Sequence, residues 1–108
     1  MITVTIRKGE SGHISGFLIE GHGDMETDTL GYDIVCAAVS SVSLTTALGL
    51  MDVLKLPGTY DSESGRMHVD IGEAGNEISD AVIETMIRGL KEIKTHYPNR
   101  IQIKGYRR

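Results

Sequence analysis

The sequence holds one cysteine, at position 36, and that scarcity excludes any internal disulfide. No signal-peptide pattern precedes the first expected strand, so a reducing cytoplasm is the expected compartment. Basic residues are also scarce: 11 Lys and Arg stand against 15 Asp and Glu, for a net charge of -4. A general nucleic-acid binder would carry a basic face, so direct nucleic-acid contact is not expected. Between Lys8 and Lys55 there is no lysine or arginine at all. Repeats, linkers and low-complexity segments are absent too, and 108 residues read as one domain spanning 1–108.

From Ile34 to Met51 charge of either sign is missing, over nearly the length of a membrane span. That run is interrupted by Ser40, Ser41, Ser43, Thr45 and Thr46, and its near flanks, Asp33 and Asp52, are acidic. Spanning helices are more uniformly apolar and have basic cytoplasmic flanks. A buried helix is therefore expected, with no membrane partner.

What is present has clear periods. Ile2, Val4 and Ile6 alternate with polar residues, as in a half-buried strand. A turn at Gly9–Gly12 leads to a second strand over His13–His22, completing a hairpin. In that strand Phe17 and Ile19 fall on one face, Ile14 and Leu18 on the other, which predicts cover on both sides. A helix is expected from about Asp33 to Leu56, halted by Pro57-Gly58, with Gly49 a weak point. Its apolar residues point in several directions, so it needs cover on more than one side. The sheet supplies one cover, and the reading assigns the second to another subunit, a homodimer.

Further on, Tyr60–Ser62 reads as a short strand, Glu63–Gly65 as a turn and Arg66–Ile71 as a strand. Asn76 or Ser79 can cap a second helix ending near His96. Val82, Met86, Leu90 and Ile93 form its stripe, with Ile83 and Ile87 beside it. Arg100–Tyr106 is a last strand. The order ββαββαβ, with its hairpins, predicts an α+β domain: a mainly antiparallel sheet with two helices packed against it.

The chemistry gathers between Gly21 and Ser40. With Asp33 as N-cap, Cys36 is the third helical residue, where backbone dipoles favour thiolate over thiol. Lone cysteines are more often inert and buried, so position alone does not decide. His22, flanked by Gly21 and Gly23, stands at the end of the preceding strand and can exchange a proton with a thiol. An ordinary loop histidine fits the spacing equally well. Asp33 either only caps the helix or also orients His22. Ser40, one turn after Cys36, either bonds back to the Cys36 carbonyl or lines the site. The other histidines have simpler readings: His68 faces outward on its strand, His96 sits at a helix end, and His13 has no identifiable partner.

Glu20, Asp24, Glu26, Asp28 and Asp33 would surround the cysteine with an anionic rim that attracts cationic peptides and opposes the thiolate. Asp24, Glu26 and Asp28 alternate as at the start of a calcium loop. The glycine and glutamate such a loop requires are replaced by Thr29 and Val35, which excludes calcium. Zinc would need ligands beyond Cys36 and His22 that no spacing supplies. No cofactor or metal is expected.

At Gly21-His22-Gly23 and Gly31-x-Asp33-x-Val35-Cys36-Ala37-x-x-Ser40 the chain resembles the ribosomal-processing cysteine protease family (Prp), over essentially its whole length. The resemblance implies a homodimeric cysteine endopeptidase that removes the basic N-terminal extension of the large-subunit ribosomal protein numbered twenty-seven. Cleavage would fall after an aromatic residue and before a small one. Cys36 would be the nucleophile and His22 the base, with Asp33 and Ser40 in the site. Gly23 stands where many members have alanine, and Gly31 opens the second motif. The loop Asp24–Leu30 varies among members, so Asp24, Glu26 and Asp28 inherit no role, and closure of this loop on substrate is an expectation.

Two other functions fit the residues. One is a non-catalytic acidic module that holds a basic ribosomal protein. The other is an RNA-binding factor using Lys104, Arg107 and Arg108, but three charges at a fraying terminus mostly solubilise.

Overall fold

The strict alternation of Ile2, Val4 and Ile6 becomes strand β1 (Ile2–Lys8), with all three isoleucine and valine side chains buried. A computed structural model describes residues 1–21 and 34–105. His22, Gly23, Asp24, Glu26, Asp28, Gly31 and Asp33 therefore lie outside the described residues, as does Tyr106.

β2 (Ile14–Gly21) pairs antiparallel with β1, placing Ile19 opposite Val4 and Phe17 opposite Ile6. β3 (Thr59–Glu63), β4 (Arg66–Asp70) and β5 (Ile101–Lys104) complete a five-stranded sheet in the order β3-β4-β2-β1-β5. Among the described residues only the β1–β5 pair is parallel. Two helices, α1 (Ile34–Leu48) and α2 (Glu77–His96), lie on one face, giving the expected α+β order.

The expectation that β2 is covered on both faces is corrected. The register shifts at Arg7/Lys8, a β-bulge that brings Ile14 into the core beside Phe17 and Ile19. Only Leu18 is left on the opposite face, and it is half-buried between Thr5 and His68. The second layer of the domain is thus α1 and α2, and among the described residues no helix covers the other sheet face.

The long apolar helix is also shorter than its composition suggests. Regular α-helix ends at Leu48, and Gly49–Val53 continues as a π-helical turn in which the Leu54 N–H donates to the Gly49 carbonyl at 2.9 Å. Glycine is a poor helix former, so the wider turn starts where the α-helix is weakest. Leu50 stays buried, while Met51, Asp52 and Val53 face out. Lys55, at φ 55, then turns the chain toward β3.

The α1–π-turn segment is long and apolar enough to cross a membrane, but Val35, Val39, Ala47 and Leu50 belong to the same core as the sheet. α2 covers a second side of α1 from within the chain. Cβ atoms built on Gly49 and Gly89 would lie 3.7 Å from Cγ1 of Val82 and Val42, respectively, so the helices run antiparallel. This corrects the assignment of that cover to another subunit. Buried hydroxyls on α1 donate back to its own carbonyls, Ser43 to Val39 at 2.6 Å and Thr46 to Val42 at 2.8 Å, so burial leaves them satisfied.

Both residues considered as caps for α2 are used together. The Asn76 side chain accepts from the N–H groups of Ile78 and Ser79 at 2.8 and 2.9 Å, and Ser79 Oγ accepts from the Asn76 N–H at 2.8 Å. That reciprocal capping box satisfies donors the helix start would otherwise leave open. Ile83, Met86, Ile87 and Leu90 then face the core.

Candidate active site

Cys36 is the third residue of α1, on its first turn, and is half-buried. It opens onto a cleft of about 310 Å³ between the start of α1 and one end of the sheet. Ile2, Ile19, Val39 and Met67 form an apolar floor, and Ser40, Ser43 and Leu44 line the helix side. Ser40 is exposed within this cleft. Back-bonds of the kind expected at Ser40 are made by Ser43, Thr45 and Thr46.

The placement has two electrostatic consequences. The first turn of a helix holds backbone N–H groups without intrahelical partners, together with the positive end of the dipole, and both favour negative charge on a sulfur or an adjoining oxygen. Partial exposure also sets Cys36 apart from the inert, fully buried cysteines of most cores.

The far wall of the cleft was not singled out from the sequence. It consists of Ser62, Glu63, Ser64, Gly65 and Arg66, the tip of the β3–β4 hairpin. Its only sequence signal is a turn composition, which says where the chain reverses but not what it faces. Gly65, at φ 74, shapes the tip, and its carbonyl accepts the Gly21 N–H at 2.9 Å. Gly21 has φ 99, and a Cβ there would collide with the Met1 carbonyl oxygen. One backbone bond thus ties the hairpin tip to the residue immediately before His22.

Of the expected anionic rim, only Glu20 lies among the described residues, and it is exposed opposite Arg66 on β4. Glu63 and Arg66, which sequence reasoning overlooked, also border the cleft, at the strand ends on either side of the hairpin tip. Among the described residues no group of three or more His, Cys, Asp or Glu is arranged to hold a metal ion.

The second histidine site is at the other end of β2. His13 does have a partner: its Nδ1 lies 2.7 Å from Asp80 Oδ2, while Asp80 Oδ1 accepts the Ile14 N–H at 2.9 Å. Asp80 is only 7% exposed, so these bonds are what make its burial tolerable. His68 faces the open side of the sheet as expected, and His96 lies 3.7 Å from Glu92 at the end of α2.

Comparison with known proteins gives a consistent picture. The profile of the family described as "Cysteine protease Prp" matches residues 1–102. The chain is 30% identical over 107 residues to the ribosomal processing cysteine protease Prp of Staphylococcus aureus strain Mu50, covering 95% of this chain and 97% of that one. Two solved structures of an essential ribosomal processing protease Prp from S. aureus share the fold. One, with a covalently linked product peptide, has a TM-score of 0.83 and 24% identity over 98% of this chain and 100% of the other. The second, with a substrate peptide, has a TM-score of 0.80 and 23% identity over the same shares.

Proposed function

The chain belongs to the cysteine protease Prp family, and on that premise we propose that it is an endopeptidase with Cys36 and His22 as its catalytic pair. Its substrate in this reading is the large-subunit ribosomal protein numbered twenty-seven, whose basic N-terminal extension it removes during ribosome assembly. The observation that carries the reading is the position of Cys36: first helical turn, partly exposed, opening onto a cleft with an apolar floor. The similarity to ribosomal processing proteases supports a ribosomal substrate, and the particular protein follows from the family resemblance.

The chemistry is acyl transfer. Cys36 Sγ, as thiolate, attacks the scissile carbonyl carbon, and the carbonyl oxygen takes up the negative charge. N–H groups of the first turn of α1 are the natural donors to that oxygen. Collapse breaks the C–N bond, and the leaving amine takes a proton from His22. The resulting thioester is attacked by a water that gives its proton to His22, which releases the acid and restores the thiolate. Asp33 and Ser40 are supporting residues in this scheme, and no cofactor takes part.

The protein works in the cytoplasm as a homodimer in this proposal. Leu48, Met51, Val53 and Ile78 support the dimer: all are exposed, Val53 at 77% and Ile78 at 62%. The antiparallel packing of α1 and α2 puts Val53 and Ile78 at the same end of the helix layer. A Val53→Lys, Ile78→Lys double variant should sediment as monomer where the native chain sediments as dimer.

The decisive assay incubates the protein with a peptide spanning the junction of the extension. The native chain should cut it, and Cys36→Ala and His22→Ala should each yield almost no product. Retention of the peptide without cleavage by all three proteins would instead identify a non-catalytic binding module.

A further inference from the structure

The sheet has two edge strands, and their surroundings differ. An edge presents N–H and C=O groups ready to pair with another extended chain. β5 is four residues long, and none of them lines the cleft. β3 runs into the cleft: Ser62 and Glu63 share the cavity with Cys36, Ser40 and Leu44. Among the described residues no strand pairs with the outer side of β3.

Edge strands are blunted by charged side chains, above all lysine, by proline or by a bulge. β3 carries two carboxylates, which would repel an acidic strand and admit a basic one. It contains neither lysine nor proline, and its register with β4 runs unbroken from Thr59↔Asp70 to Glu63↔Arg66. Four of its five residues are exposed. Among the described residues it is an unpaired edge whose last two residues line the same cavity as Cys36.

We propose that the substrate polypeptide binds as an added strand along the outer edge of β3, and that Asp61 and Glu63 select basic side chains two residues apart on it. The inference rests on the peptidase reading and extends it to how the chain to be cut is held. Side chains of a strand alternate between faces, so Tyr60 and Ser62 point to the helix side, and Asp61 and Glu63 to the open side. An added strand alternates in the same way. Its helix-side residues meet Leu44, 47% exposed at the cleft, and its open-side residues stand beside the two carboxylates. His68 and Arg66 sit one strand further in, opposite Asp61 and Glu63. Main-chain bonds along an edge give affinity that does not depend on sequence, and the alternate side chains give selectivity. Five residues of β3 span roughly 17 Å, so about five substrate residues are placed in register.

The test uses the full chain and a synthetic peptide spanning the junction of the ribosomal-protein extension. N-methyl groups are placed on its backbone nitrogens one at a time. Added-strand binding predicts that kcat/KM falls about fivefold or more at alternate positions and much less between them, as expected for losing one interstrand bond. Asp61→Lys and Glu63→Lys should raise KM for the native peptide more than for an analogue with its Lys and Arg changed to Gln. Gln102→Lys, on the other edge, should leave that ratio unchanged. With the Cys36→Ala protein, bound peptide should show cross-strand Hα contacts to Thr59–Glu63 by NMR. N-methyl effects without a two-residue period, or a bound peptide lacking those contacts, overturn the inference and leave the peptidase reading standing. Failure to cut the unmodified peptide overturns the peptidase reading itself, and this inference with it.

Discussion

The two ends of β2 are built in opposite ways. At the Ile14 end, side chains close the structure: Asp80 accepts from His13 and Ile14, and Glu73 accepts the N–H groups of Glu10 and Ser11 at 3.2 Å each. At the Gly21 end the strand ladders and a backbone bond to Gly65 join the elements, and the space beyond is a cleft. The first arrangement uses its polar groups for stability. The second leaves a thiol and several hydroxyls facing a cavity, which contributes little to stability and is what a reaction site requires. If this division holds, substitutions at the two ends separate activity from stability.

The largest effect is expected at the open end. Cys36→Ala should lower peptide cleavage on the order of 10³-fold or more, with unfolding free energy changed by no more than about 1 kcal/mol. Parallel cleavage assays and urea titrations would read both. Comparable losses of stability and activity would break the comparison.

The mirror experiment is Asp80→Ala. It leaves the buried Ile14 N–H and His13 without their acceptor, which should destabilise the fold by about 2–3 kcal/mol. Cleavage per folded molecule, measured at low temperature, should be retained.

Gly21→Ala tests the tie between β2 and the hairpin tip at the open end. Its φ of 99 and the Met1 carbonyl leave no room for a Cβ, so a loss of about 2 kcal/mol or more is expected. This variant should also cut more slowly at temperatures where it remains folded, because the strand end that precedes His22 is displaced. Circular dichroism and single-turnover cleavage on the same sample would separate the two losses.

A smaller change follows from Asn76→Ala, which removes half of the capping box at the closed end. Stability should fall by about 1 kcal/mol, with kcat/KM unchanged.

The smallest is a pH effect at Tyr60. Burial raises its phenol pKa above the ordinary 10.0, and its hydroxyl donates to the Leu56 carbonyl at 3.1 Å. A raised folded-state pKa means that the folded protein holds the proton longer than the unfolded chain. The contribution is complete below pH 10 and is lost as pH rises through the folded-state value. Tyr60→Phe should flatten the alkaline limb of the stability curve, as read by urea titrations across pH.

Much of the fold was legible because its signals are local. β1 has period two, and α2 has period 3.6 with its cap written in Asn76 and Ser79. The failures came where a single residue changes the count. The bulge at Arg7/Lys8 moves Ile14 to the core face, and alternation read from the sequence alone cannot contain that shift. At Gly49 the backbone takes an extra residue into one turn, and the composition of α1 marks the weak point but not its response. Cys36 could be singled out because its helix start is coded nearby. Glu63 and Arg66 could not, since their approach to Cys36 depends on a sheet order that brings residues far apart in sequence to one edge.

The sequence by itself determined the elements, their order and the location of the only thiol, because propensity, period and capping act over a few residues. The tertiary structure alone decided which groups meet. It paired His13 with Asp80, bound Gly21 to Gly65, and set the β3–β4 hairpin across from Cys36. Contacts between distant segments follow from how the helix layer and the sheet share one apolar core, and no window of the chain contains both partners.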